Sequence, residues 1–189
     1  MGRYSNLFQG MGVLLFCLFG GASCHTTVKE TVPAIHQPKP QFSSKDKIYV
    51  ALPMDAFYKK QEVMDSGSAL QSAIMTALQK YSSMALAARK VETETDALER
   101  AAAINAHYLV FASILRWEDH PTEFNGIRDY VVLRLQVFDA QTNQQVHEET
   151  LEARSKWLTD GGDKPSDLLP DILKPWAGGF FHPVYKPSF

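Results

Sequence analysis

Tyr108-Leu109-Val110-Phe111-Ala112-Ser113-Ile114-Leu115, inside the segment His107 to Trp117, is the stretch that decides the fold. It is apolar on both faces, as a strand is when layers cover it from both sides. Such a strand belongs in the middle of a sheet, and its neighbours must supply the layers. Downstream, the polar loop Glu118 to Asp129 holds Pro121 and the turn pair Asn125-Gly126. It leads to Tyr130–Phe138. There Val131, Leu133, Leu135 and Val137 point one way, and Val132, Arg134, Gln136 and Phe138 the other. That alternation is a half-buried antiparallel strand. Asp139-Ala140-Gln141-Thr142-Asn143 then turns the chain into a polar partner, Gln145 to Ser155, which makes a hairpin.

Upstream, Lys47 to Pro53 is a second central strand, with Ile48, Val50 and Leu52 on one face and Tyr49 and Ala51 on the other. The connection Asp55 to Gly67 is polar, and its Phe57 and Tyr58 either form an exposed aromatic pair or, the favoured reading, fold back onto the core. From Ser68 the period changes. Leu70, Ile74, Ala77, Leu78 and Tyr81 recur three and four apart, one stripe of a helix. Ser66 or Ser68 can cap it, and Lys80 suits its end. A second helix, Asp96 to Ala106, follows a cap at Thr93 or Thr95, and its Ala101-Ala102-Ala103 run allows close packing. Ser83 to Arg89 has little signal of its own; lying between two helices, it reads as the strand that completes an alternating unit. The last helix runs from Pro165 to Trp176, with Leu168, Leu169, Ile172, Leu173 and Trp176 as its apolar face and Pro175 ending or bending it. The order β-α-β-α-β-β-β-α makes an α/β (α+β) fold: one layered domain, a mixed sheet of about five strands packed by about three helices.

The N-terminus sets an address. Arg3 precedes the apolar run Met11 to Phe19, which Gly20-Gly21-Ala22-Ser23-Cys24 closes. The run is too short to span a bilayer and has the order of a secretory signal. Its ending resembles a bacterial lipobox, with small residues Ala22 and Ser23 before the cut and Cys24 as the lipidated residue; Gly21 stands where Leu is usual. Residues 1–23 are then the signal peptide and 24–45 a lipidated, Pro-containing tether with Pro33, Pro38 and Pro40. Fully extended, such a tether could reach about 60 Å. His25, not Asp, follows Cys24, a pattern that in a diderm bacterium resembles outer-membrane sorting. Residues 46–177 form the globular domain and 178–189 an aromatic tail.

Formal net charge is −2 over 189 residues, and removing Arg3 makes the mature chain more acidic. A basic nucleic-acid surface is not expected. The cysteines are Cys17 and Cys24, so the folded part holds neither disulfide, thiolate metal site nor cysteine nucleophile. Phosphate-loop, nucleophile-elbow and zinc-helix motifs are missing. Glu118-Asp119-His120 could be a metal or acid–base site, but without a second histidine at ligand spacing it reads as a solvated loop. Asp160-Gly161-Gly162-Asp163 reads as a turn rather than a calcium loop. The expectation is a protein without catalytic residues, metal or cofactor. The aromatics Trp176, Phe180, Phe181, Tyr185 and Phe189 are the candidate contacts for a partner or a glycan, with core closure the alternative for the first three.

Ala106-His107-Tyr108-Leu109, Trp117-Glu118-Asp119, and Gly161-Gly162 followed by Lys164-Pro165-Ser166-Asp167-Leu168-Leu169 resemble a bacterial lipoprotein family, domain of unknown function 4823, over roughly residues 45 to 177. The resemblance brings no catalytic residues. The element order also looks like the N-terminal domain of TolB, and like outer-membrane lipoproteins that activate peptidoglycan synthases or form export rings. These likenesses imply a membrane-anchored, periplasm-facing accessory factor that binds envelope proteins or itself, or else a module for peptidoglycan or exopolysaccharide.

Overall fold

A computed structural model describes residues 27–31, 39–120, 128–155 and 164–181. Its strands are β1 (Thr27–Thr31), β2 (Ile48–Leu52), β3 (Ala56–Tyr58), β4 (Gln61–Val63), β5 (Ala85–Val91), β6 (Tyr108–Glu118), β7 (Tyr130–Asp139) and β8 (Gln144–Arg154). The helices are α1 (Ser66–Gln79), α2 (Glu94–Ala103) and α3 (Leu169–Phe181), the last preceded by a 3-10 turn, Pro165–Leu168. Six strands form one mixed sheet in the order β1-β8-β7-β6-β2-β5, and β3–β4 is a separate hairpin. β2 runs parallel to β5 and β6, and the other pairs are antiparallel. Five of the six strands follow the sequence pattern. Ala85–Val91 is among them, held as the parallel partner of β2 despite its own weak signal.

Strand β6 is covered on both faces. Val110 and Ala112 join the core under α1 and α3, with Leu70, Ile74, Leu133, Ile172 and Phe180. Leu109 faces a smaller core under α2, built with Tyr49, Ala88, Ala97 and Ala101. α2 packs through alanines, so its backbone lies close to the sheet. It starts at Thr93, whose Oγ1 accepts the Asp96 N–H at 3.2 Å.

The start of α1 differs from expectation. Neither serine caps it. Asp55, ten residues or more away, does so: its carboxylate accepts the Gly67 N–H at 2.7 Å and the Asp65 N–H at 3.1 Å. Ser66 instead ties the hairpin down. Its Oγ donates to the Val63 carbonyl and accepts the Ala56 N–H. The fit is tight, because a Cβ on Gly67 would stand 2.3 Å from the Pro53 carbonyl oxygen. Gly67→Ala must push α1 away from the end of β2, at an expected cost of about 1–3 kcal/mol. Urea denaturation would measure it, and an unchanged midpoint would show that the two segments separate freely.

Three more expectations are corrected. Phe57 does not join the core; it is 65% exposed, on the outer face of the β3–β4 hairpin. Pro175 does not end the last helix, which continues through Gly178 and Gly179 to Phe181. Burial of Trp176 and Phe180, four residues apart on one face, outweighs the cost of a proline and two glycines. The segment read as a tether is also partly built into the domain. β1 pairs with β8 from Thr27↔Arg154 to Thr31↔Thr150, and Phe42 is buried. Only His25 and Thr26 therefore separate Cys24 from the sheet.

Candidate functional site

The structure divides the aromatic candidates. Trp176 is 2% exposed and Phe180 0%, so both belong to the core rather than to a contact surface for a partner or glycan. Phe180 stacks on Phe42 (centroids 4.6 Å apart), which in turn stacks on Tyr108 at 4.1 Å. The Phe42 N–H donates to the Phe180 carbonyl at 2.7 Å, so residues around Phe42 form a strap over the end of α3. Phe181 is half-buried, stacked on Tyr81 at 5.1 Å. Tyr185, Phe189 and Cys24 lie outside the described residues.

A charged cluster that sequence reading missed fastens the same strap. Lys39 Nζ lies 2.8 Å from Glu149 Oε2 on β8, and His147 Nε2 lies 3.1 Å from the same oxygen. Glu149 is buried, and the His147 ring meets Phe180 edge-on at 5.3 Å. A buried carboxylate needs such partners, because desolvation penalises its charge.

Glu118, Asp119 and His120 are not arranged as a ligand set. Glu118 takes a 2.7 Å bond from Arg116 Nε and faces His120 Nε2 at 3.4 Å. Burial alone would raise the Glu118 carboxyl, but the bonds and charges of Arg116 and His120 prevail and hold it below the usual carboxylate range. His120 also packs edge-on against Tyr58 of β3, and its N–H donates to Asp129 Oδ1. The cluster is a clasp between β6, the hairpin and the start of β7. Among the described residues no group of three His, Cys, Asp or Glu side chains gathers as metal ligands. At the far edge, Tyr49 Oη donates to Glu92 at 2.7 Å, and Arg100 lies 3.6 Å from that carboxylate. Burial, then the Glu92 bond and charge, push the Tyr49 phenol far above its ordinary value, so it serves as a donor and not as a base.

What the domain offers outward is surface. The most exposed large apolar side chains among the described residues are Met64 (79%), Met54 (69%) and Phe57, all on or beside the β3–β4 hairpin. On the open face of β7–β8, Arg134 pairs with Glu148 and Gln136 with Gln145. Among the described residues β5 is the edge of the sheet, and it carries Arg89 and Lys90, charges that discourage indiscriminate strand pairing. No described helix is long and apolar enough to cross a membrane.

The model of the DUF4823 family, a domain of unknown function, matches residues 41–179, from just before Phe42 to just before Phe180. The chain belongs to the DUF4823 family. Phe42 and most of the last helix thus fall inside the DUF4823 unit, while Lys39, Phe180 and Phe181 lie just outside its matched bounds. Among curated proteins, none matches the sequence. Among solved structures, this DUF4823 domain is similar to a leucine-to-methionine variant of the PelC dodecamer from Paraburkholderia phytofirmans: TM-score 0.61, 16% identity, 82% of this chain and 99% of that one. A second PelC dodecamer from that organism gives 0.59 at 18% identity, over 80% and 96%. A Xanthomonas campestris protein of the DUF330 family gives 0.51 at 12% identity, over 81% and 90%. At these identities the likeness concerns the fold.

Proposed function

We propose that this DUF4823 chain is a lipid-anchored, non-enzymatic envelope protein, held at the outer membrane and facing the periplasm. It acts as an assembly or accessory factor that binds other envelope proteins or further copies of itself. The observation that carries this reading is the position of Cys24. It closes an apolar signal run, and a sheet strand begins three residues later, so the lipid would hold the domain directly rather than through a long leash. The fold shared with PelC, which assembles as a dodecamer, supports self-association. A glycan module is the weaker reading. It rests on tail aromatics, and Trp176 and Phe180 are buried.

Two measurements test the proposal. Cys24→Ala should move the protein from the membrane to the soluble fraction, and continued membrane association would reject the lipid anchor. Cross-linking of the full-length protein in cells should then capture a ladder of self-adducts or one defined envelope protein. Glycan fragments alone would replace the accessory factor with the glycan module.

A further inference from the structure

We infer that the β3–β4 hairpin is a second membrane contact, which seats the Cys24 end of the domain on an anionic phospholipid surface. The inference rests on the lipid-anchor reading and goes beyond it.

The first observation is position. β1 begins at Thr27, opposite Arg154; Arg154 pairs with Tyr130, and Tyr130 with Glu118. One end of the sheet is thereby defined. The hairpin stands at that end, because Tyr58 of β3 lies against His120, two residues past Glu118, with its Oη 3.3 Å from the ring Nδ1. Cys24 is three residues before Thr27, and three residues span about 11 Å at most. Lipid at Cys24 would place this end, and no other, at the bilayer.

The second observation is what the hairpin shows there. Met54, Phe57 and Met64 are the most exposed large apolar side chains described, and they fall within eleven residues of sequence. The inner-face residues Ala56 and Val63 pack inward, and Tyr58 takes the His120 contact, so Phe57 points outward by strand alternation. Lys59 and Lys60 form the hairpin tip, both exposed and both with positive φ (49° and 69°). Arg116, Arg128 and Arg154 are exposed at the same end. Acidic groups share this end: Glu118 pairs with Arg116 and Glu152 accepts the Tyr130 hydroxyl, while Glu62, Asp65 and Asp119 are exposed beside the five exposed cations. Apolar side chains beside flexible cations match the boundary between headgroups and acyl chains.

The third argument is physical. A patch this small binds a free membrane weakly. A lipid attached a few residues away turns that binding into an intramolecular event at high effective concentration, so weak contacts suffice to fix orientation. The domain would then stand upright, with the β7–β8 turn and Asp139 facing the periplasm.

The test uses the full-length lipidated chain, extracted from membranes and reconstituted into vesicles of phosphatidylethanolamine and phosphatidylglycerol. With Cys24 carrying its lipid, Glu62→Cys supplies one free thiol beside Phe57 for an environment-sensitive fluorophore, and Gln141→Cys supplies the control at the opposite end. Both positions are exposed, so folding is not at stake. Spin-labelled lipid should quench the probe at 62 several-fold more than the probe at 141, and Phe57→Ser should remove the difference. Equal quenching at 62 and 141 in protein that floats with the vesicles overturns the hairpin contact and leaves the anchor standing. Protein that fails to float overturns both. Photocross-linking from position 62 in cells to an envelope protein rather than to lipid overturns it in favour of a protein partner.

Discussion

Phe180→Ala is expected to lower the unfolding free energy by about 3–5 kcal/mol, the range for removing a fully buried aromatic ring. Phe180 is wholly enclosed. Its ring touches Phe42 from the strap, Trp176 from its own helix (5.1 Å) and His147 from β8 (5.3 Å). These neighbours come from three distant parts of the chain, so they cannot close on the space together, and a cavity remains. The carbonyl that receives the Phe42 N–H is also the backbone of this residue, so the strap should loosen with it. Urea unfolding followed by tryptophan fluorescence reads the effect directly, since Trp176 lies against the lost ring. A loss below about 1 kcal/mol would mean that the last turn of α3 is not part of the core, and the aromatic end would again be free to serve as a contact.

Lys39→Met is expected to cost about 3 kcal/mol, the lower end of what removing one partner of a buried ion pair costs. The Glu149 carboxylate is buried on β8, and the variant takes away the ammonium held 2.8 Å from it. His147 stays at 3.1 Å, but its ring does not fill the place of the lost ammonium. The control is the double variant Lys39→Met with Glu149→Leu. With both charges replaced by apolar groups, no carboxylate is stranded, and stability should return most of the way to wild type. A double variant that is as unstable as the sum of the two single ones would show that the residues act independently. The strap would then be held by Phe42 alone.

Both results concern one device. The chain ahead of β2 is clipped at Lys39 and Phe42 to the end of α3 and to β8. The segment with three prolines looks like a spacer because proline content and low hydrophobicity are averages over many residues. Two side chains in it decide otherwise. Phe42 is a lone large ring in polar surroundings, and that isolated signal could have marked a docking point. Lys39 carries no such mark, since a lysine in a linker has the same local pattern whether it is solvated or paired with a carboxylate far along the chain.

The hairpin shows the same division. Phe57 and Tyr58 are adjacent, and strand alternation must send them to opposite sides. Which side meets the core depends on Tyr58 finding His120, a contact between residues 62 apart in the chain. The cap of α1 is similar: Ser66 and Ser68 are suitable residues beside the helix start, yet Asp55 reaches back from the preceding loop and takes both N–H groups.

The order of elements, the burial of β6 on two faces, the half-polar β7–β8 hairpin and the helix stripes were all legible from residue order. The helix stripes and β7 follow from a period of about three and a half or two within a dozen residues, β6 from an unbroken apolar run, and β5 from its place between two helices. The composition likewise confined both cysteines to the first 24 residues. Tertiary structure alone decided that β1 extends the sheet, that Trp176 and Phe180 lie inside, that Lys39 faces Glu149, and that the exposed hairpin shares an end with the start of β1. These depend on which residues meet after the layers pack, and such meetings leave no periodic trace in either partner. Their energy comes from excluding water between groups far apart in the chain, and only the packed arrangement specifies that.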